Sequence, residues 1–357
     1  MYMRLTGLVA VIACACMAAC TDEAPPGKYG PGELDHSALR PADLKGRVLA
    51  AGDYLGAPTE MVVAGERLLV LDAIGASVLH VIDARTGGHV RSLGGRGEGP
   101  GEYRSPWSLA RESGRPDQPW VYDVQLGRLT RVDLTPSAST PAQAEIVRIQ
   151  GEALATQPVW VHDSLLVSPG LSTRGRLSFY GRDGTFRRAA GPLPEGNGGV
   201  PPAILQQAWM GRVASNPRTG WIALATLHAD QVEIYRPDGT LVRKVRGPFR
   251  FDPQFTVEQM QGQPVMASGD AMRFGYADVE TTADEIYALF SGRTRESFKG
   301  AASVGRYVHV YDWQGELKRV YRLDSDVIAI AVSPDGKRLY GARHEPEPGI
   351  VVFVLEQ

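Results

Sequence analysis

The sequence predicts an all-β protein, a six-bladed β-propeller of four-stranded antiparallel blades, and three observations carry that expectation. Alternating apolar strands joined by glycine turns recur six times from residue 46 onward, at a spacing of about 52 residues, close to the ~40–50 of four-stranded blade repeats. Forty-one glycines and 25 prolines are spread along the chain, as frequent turns between short strands require. The last unit lacks one strand and the first is preceded by a spare one, so the two chain ends complete each other and leave no open sheet edge.

The units follow in order. The first holds Arg67–Asp72, Ser77–Asp83, the turn Arg85–Gly88 and the strand His89–Leu93; the second, fainter, holds Trp120–Asp123, Arg128–Asp133 and Glu145–Ile149. Units three to five carry the turns Tyr180–Thr185, Tyr235–Thr240 and Tyr311–Glu316, each joining an alternating strand to one that bears Arg187, Arg243 or Arg319. Such turns are strong hairpin signals, because glycine tolerates the positive φ they demand. The sixth unit is Val327–Val332, the turn Ser333–Gly336, Arg338–Arg343 and Ile350–Leu355. The spare strand, Arg47–Ala51, is predicted to lie beside the last of these as its fourth strand and close the ring.

Ahead of the repeats, Arg4 and the apolar run Leu5–Ala19 form an export signal, residues 1–19, too short for the ~20 residues of a stable membrane span. Met17-Ala18-Ala19-Cys20 resembles the lipobox of bacterial lipoproteins, which implies that Cys20 carries a lipid anchor. Cys14, after Val11-Ile12-Ala13, competes for that role but would leave a shorter apolar region. Residues 20–45 read as the lipidated cysteine and a flexible tether, and residues 46–357 as the propeller. The expected location is the cell envelope, lipid-anchored on the periplasmic side of a membrane or at the cell surface.

Charge and cysteine content limit the chemistry. A formal net charge of -2 gives no electrostatic reason for a nucleic-acid partner. All three cysteines lie in the first twenty residues, so the folded body has no thiol for a disulfide, a zinc site or a nucleophile. Nucleophile-elbow, zinc-protease and calcium-loop patterns are missing from the sequence, so no catalytic, cofactor or metal residue is assigned, and a monomeric non-enzyme is expected. His80, His89 and His309 fall on predicted strands and His36 on the tether. His162 with Asp163, His228 with Asp230, and His344 with Glu345 are the acid–histidine neighbours at loops, and a metal site would need them to converge from different blades.

The segment Gly94–Tyr103, followed by Ser105–Ala110, resembles the glycine-rich segment of NHL-type blades, and it resembles the bacterial six-bladed propeller lipoproteins described as TolB-like. That resemblance implies a propeller fold and an envelope location, with no established activity. The glycines do not read as a phosphate cradle, since Pro100 and Pro106 lead into a strand rather than a helix N-terminus.

In a four-stranded meander, the loops joining strands two and three share a face with the inter-blade loops. The long segments Gly94–Ser105, Ala190–Pro202, Gly247–Phe274 and Ser291–Gly305 all belong to that class, so elaboration is predicted on one face of the disc. Its candidate binding residues are Arg96, Arg104, Arg250, Arg273, Arg293, Arg295, Phe298 and Lys299. In the last of these loops Glu296 alone opposes three cations, which points to an anionic ligand or an envelope protein as partner. The reading that results is a lipid-anchored envelope scaffold that binds through its loop-rich face. The alternatives are a lactonase-like hydrolase or lyase with a metal at the central channel, and a purely structural envelope protein.

Overall fold

The computed structural model describes residues 34–134, 145–151, 154–196, 199–297 and 304–355; the predicted signal segment, Cys20, Phe298 and Lys299 lie outside the described residues. Six four-stranded antiparallel blades form the ring. Blade one runs Pro58–Ala64, Arg67–Asp72, Leu79–Asp83 and His89–Leu93, and blade two Pro106–Glu112, Arg115–Asp123, Arg128–Arg131 and Ile146–Arg148. Blade three is Val159–Val161, Leu165–Pro169, Leu177–Gly181 and Phe186–Ala190, and blade four Gly211–Ser215, Ile222–Thr226, Gln231–Tyr235 and Leu241–Arg246. Blade five is Tyr276–Thr281, Glu285–Phe290, Gly305–Asp312 and Leu317–Val327. Blade six takes Ala329–Val332, Arg338–Arg343 and Gly349–Val354 from the end of the chain.

Its fourth strand is Arg47–Ala51, antiparallel to Gly349–Val354 with Arg47 opposite Val352 and Ala51 opposite Gly349. The ring therefore closes where the complementary chain ends predict. Each inner strand touches the inner strands of the blades on either side, including the sixth against the first.

The core is divided among the blade interfaces. Among the described residues six hydrophobic clusters occur, one between each adjacent pair of blades. A blade buries both faces, so successive side chains of one strand serve different neighbours. In Arg67–Asp72, Leu68 and Val70 pack toward blade six while Leu69 and Leu71 pack toward blade two. The arginine-bearing strands of the sequence, Phe186–Ala190, Leu241–Arg246 and Leu317–Val327, are outer strands of their blades.

Glycine is required where a turn of one blade presses on its predecessor. Gly184 in the Asp-Gly turn of blade three has φ +79°, and a Cβ there would fall 2.0 Å from the Arg148 carbonyl oxygen on the outer strand of blade two. In the glycine-rich segment, Gly94 has φ +73°, with Tyr103 and Val78 each 2.8 Å from where a Cβ would stand. That segment is the crossover from blade one to blade two.

Buried acidic side chains clasp these crossovers. Asp72, at the end of the second strand of blade one, accepts from the Gly56 and Ala57 amides just ahead of the inner strand, at 2.7 and 2.9 Å. Asp123 does the same in blade two for Arg104 and Ser105, at 2.7 and 3.1 Å. In blade three the Ser168 hydroxyl takes the part, accepting from Thr156 and Gln157 at 3.1 Å each.

One departure from the sequence reading lies ahead of the ring. Residues from Leu34 onward, expected in a flexible tether, are docked on blade five. Ala42–Leu44 adds a parallel fifth strand against Leu317–Val327, and Leu34, His36 and Leu44 are buried. The His36 ring stacks on Tyr307 with centroids 3.5 Å apart, and its Nε2 lies 3.3 Å from Nε2 of His309. The stretch has no periodicity to announce this, because the contacts come from isolated side chains.

Candidate functional site

Antiparallel alternation sends the inter-blade loops and the second-to-third-strand loops to one side of the disc, here called the loop face, and the remaining turns to the other, the turn face. Three of the long loops contain secondary structure that the sequence reading did not assign, the first being the crossover to blade two, where Gly95–Arg96 pairs in parallel with Glu102–Tyr103. The crossover to blade four carries the helix Pro202–Ala208, and the crossover to blade five carries the hairpin Thr256–Met260 with Gln263–Ala267. Weak alternation in a polar hairpin leaves little signal for it. In blade two the third and fourth strands, Arg128–Arg131 and Ile146–Arg148, are joined by a long connection of which residues 135–144 lie outside the described residues.

The eight residues singled out on the loop face meet different fates. Arg96, Arg104, Arg250 and Arg295 are exposed. Arg96 donates to the Ala73 carbonyl at 2.6 Å, Arg104 pairs with Glu98 at 2.9 Å, and Arg295 donates to Ser268 Oγ at 2.9 Å. Arg250 offers its amide to Asp230 at 3.0 Å. Arg273 and Arg293 are buried. Arg273 donates to the Gly292 carbonyl, and Arg293 forms a two-pronged pair with Asp326 at 2.8 and 3.0 Å, an acid also bonded to Arg306. The counter-charge for the blade-five loop thus comes from Asp326, outside the stretch where Glu296 was counted. Phe298 and Lys299 lie outside the described residues.

Apolar exposure, which the sequence did not resolve, distinguishes the loop face more clearly. Ile74 is 72% exposed, Met260 62%, Leu154 52% and Trp107 50%, with Leu171 and Val257 also open. All six sit in loop-face connections or at the loop-face end of an inner strand. Among the described residues the other exposed large apolar side chains, Val48, Ile146, Val242 and Val354, lie on outer or terminal strands, and no turn-face loop carries one.

The second feature is the ring axis. One apolar side chain from each inner strand, Val62, Leu109, Val159, Val213, Val279 and Val332, lines a cavity of about 190 Å³. Glu60, Arg111, Glu112 and Glu280 add charge to its wall, and Ser113, Pro116, Pro217 and Pro334 stand at its turn-face end. Two ion pairs cross the axis between opposite blades. Arg111 of blade two reaches Glu280 of blade five at 3.1 Å, and Arg212 of blade four reaches Glu60 of blade one at 3.5 Å. Behind them Asp278 accepts from the Val279 and Ile330 amides at 2.9 and 2.8 Å.

Burial raises all three axial carboxyls. Glu60 is pushed upward by loss of solvent, partly offset by Arg212 and reinforced by Asp278 and Glu280. Asp278 moves in the same direction for the same first reason. Glu280 is pushed up to about 7, with Arg111 opposing the shift. A carboxyl whose folded pKa exceeds its unfolded value of about 4.3 keeps its proton longer in the folded state, so the stability it contributes is present at low pH and lost as pH rises through the folded value. Buried neutral imidazoles of His228 and His309, whose pKa values burial lowers, act oppositely below about pH 6.5. The window from pH 6.5 to 8 therefore isolates the carboxyls. Stability should fall there by on the order of 1–2 kcal/mol, and Glu60→Gln with Glu280→Gln should flatten that slope in thermal unfolding. An unchanged slope in the double variant would show that these groups are already ionised.

The acid–histidine neighbours do not converge. His228 Nδ1 rests 3.3 Å from the Ala208 carbonyl and His344 Nε2 2.9 Å from the Pro58 carbonyl, both near the loop face. His162 lies in a turn on the opposite face, beneath Gly220. Among the described residues no three or more His, Cys, Asp or Glu side chains come together to hold a metal ion, and no helix is long and apolar enough to cross a membrane.

Comparison with known proteins agrees with the geometry of the ring. A family model described as TolB-like 6-blade propeller-like matches residues 43–335, from the docked strand beside blade five into blade six. The crystal structure of a DUF4221 family member from Bacteroides vulgatus superposes with a TM-score of 0.53 at 9% identity, covering 91% of this chain and 97% of that one. The β-propeller domain of Cps50 (Swd1), printed as from Myceliophteria thermophila, gives a TM-score of 0.46 at 11% identity, over 84% and 97% of the two chains. At 9% identity the likeness to the DUF4221 family member is one of fold. No curated protein matches the sequence.

Proposed function

The chain belongs to the TolB-like six-bladed propeller family, and we propose that it acts as a lipid-anchored envelope scaffold that binds a protein partner through its loop face. The observation that carries this is the gathering of Ile74, Trp107, Leu154, Leu171, Val257 and Met260 on that face. Exposed apolar side chains cost solubility unless a partner covers them, and aromatic and Met residues are enriched where partners bind. The exposed Arg96, Arg104, Arg250 and Arg295 supply a polar rim, in which single charge pairs add little affinity.

The anchor suits the same face. Leu34 is buried beside Gly292 in a loop-face connection of blade five. Cys20 stands fourteen residues earlier, a reach of at most about 50 Å. A lipid there would keep the loop face near the membrane and its resident proteins.

Two measurements test the reading separately. Ile74→Ser, Leu154→Ser and Met260→Ser combined should reduce capture of envelope proteins by cross-linking at least tenfold while circular dichroism stays unchanged. Equal capture by that variant would remove the loop face from the site. Cys20→Ser should release the protein from the membrane fraction or leave it as uncleaved precursor, and a mature membrane-bound product would move the anchor to Cys14.

A further inference from the structure

The axial cavity lies away from the loop face and uses other residues. Its composition is unusual for a packed channel. The wall holds three carboxyl groups, Glu60, Glu112 and Glu280, against one guanidinium, Arg111. Arg111 is committed on both prongs, to Glu280 at 3.1 Å and to the Val63 carbonyl at 3.2 Å. Glu112 accepts from Trp120 Nε1 at 2.9 Å and from Arg182 at 3.2 Å.

Glu60 stands apart. It is 5% exposed, it lines the cavity, and among the described residues its side chain makes no hydrogen bond. Its one ion contact is Arg212 at 3.5 Å, and that guanidinium also lies over the Trp107 ring, 6.0 Å from its centroid. A carboxyl buried to this extent ordinarily finds donors within the protein, since leaving it without them is costly.

Neutral oxygens around the cavity are already donors to other groups or acceptors. Ser215 Oγ donates to the Trp160 carbonyl at 2.6 Å, Thr281 Oγ1 donates to the Ser215 carbonyl at 2.7 Å, and Gln157 Oε1 accepts from the Val213 amide at 2.9 Å. Among the lining side chains three carboxyls thus stand against one guanidinium, with the Gln157 amide nitrogen as a neutral donor. Six apolar side chains, one per blade, form a collar that lines the cavity between the charges: Arg111, Glu112 and Glu280 follow Leu109 and Val279 toward the turn face, Glu60 precedes Val62, and the mouth is framed by three prolines. Proline holds its φ fixed, so the rim is preformed.

We infer that the axial cavity is a binding site for a small organic cation, an alkyl amine or alkyl guanidine, entering from the turn face between Pro116, Pro217 and Pro334. The ammonium or guanidinium donates to Glu60 and Glu280, and the alkyl chain occupies the Val62, Leu109, Val159, Val213, Val279 and Val332 collar. A cavity near 190 Å³ is smaller than drug-sized pockets and suits a ligand of a few heavy atoms. The bound charge relieves the repulsion among Glu60, Asp278 and Glu280, so binding expels protons from them near neutral pH.

The test uses the mature chain and three probes of one shape: n-butylammonium, butyrate and n-butanol. In calorimetry at pH 7.5 butylammonium should bind at one saturable site, with a heat that differs between phosphate and Tris buffers because protons are released, while butyrate and butanol should give no saturable heat. Glu60→Gln with Glu280→Gln should weaken butylammonium at least tenfold. Ser113→Trp, an exposed mouth position outside the charged wall, should block it by a similar factor in a variant whose fold is checked by circular dichroism. Saturable binding of butyrate in preference to the amine, no saturable binding of butylammonium, or undiminished amine affinity in both variants would overturn the inference. Capture at the loop face should be the same for all these proteins, so its failure is read independently.

Discussion

Deleting residues 1–51 should leave a chain that no longer unfolds cooperatively, whereas deleting residues 1–33 should leave the melting temperature unchanged. Among the described residues the strand Arg47–Ala51 completes blade six, and it buries Leu49 and Ala50 in a cluster with Leu55, Tyr340 and Ile350. The turn of blade one closes over it so tightly that a Cβ on Gly87 would lie 1.7 Å from the Leu49 carbonyl oxygen. Losing a ladder of hydrogen bonds at about 1 kcal/mol each, with the burial of Leu49 at roughly 2 kcal/mol, removes about 5 kcal/mol or more from a total near 5–15. An exposed edge on Gly349–Val354 would add a route to aggregation.

An intermediate deletion, residues 1–45, separates two roles. It removes buried Leu34, His36 and Leu44, the parallel strand on blade five and the Asp43–Arg322 pair, but keeps the closing strand. Sequence alone expects that deletion to be neutral; the docked segment predicts a loss of about 2–4 kcal/mol, chiefly from the buried side chains. Thermal and urea unfolding of the three truncations would decide it, and equal midpoints for the 1–45 and 1–51 deletions would refute closure by Arg47–Ala51.

Asp123→Ala should be among the most destabilising single substitutions, with a loss of about 3–4 kcal/mol. The side chain is fully buried. One oxygen accepts from Arg104 and Ser105, at 2.7 and 3.1 Å, and the other from Gln125 and Leu126, each at 3.0 Å. Alanine leaves these four partly buried backbone donors without their acceptor at the root of the glycine-rich crossover. Asp123→Asn keeps one acceptor oxygen and should cost less. Asp183, in the exposed turn of blade three, also accepts from a backbone amide, that of Thr185 at 3.0 Å, yet its replacement by alanine should change the urea midpoint only slightly. A midpoint for Asp123→Ala as close to the parent as that of Asp183→Ala would sink the clasp.

These two aspartates look alike in the sequence, each following an apolar strand, and the contrast shows what was legible. Turn chemistry could be read because it is local: Asp183-Gly184 and Asp238-Gly239 form the expected tight turns, with φ +79° and +82° at the glycines. Loop parity was legible too, since strand alternation dictates which connections share a face. Which polar residue lies inside was not, because burial depends on the neighbouring blade. Arg273 and Arg293 were counted with the exposed cations of the loop face, yet both are buried, and Asp326 answers Arg293 from the outer strand of the same blade.

The sequence by itself determined the fold class, the six units, the closing strand and the face that bears the long loops, because each follows from period-two patterning, turn residues and chain order. Only the tertiary structure decided what stands at the axis. Arg111 and Glu280 are 169 residues apart and meet because six inner strands converge on one line. Glu60 and Arg212 meet for the same reason. No local pattern announces such pairs: a charge on an inner strand acquires its partner, its shifted pKa and its cavity only when the ring closes.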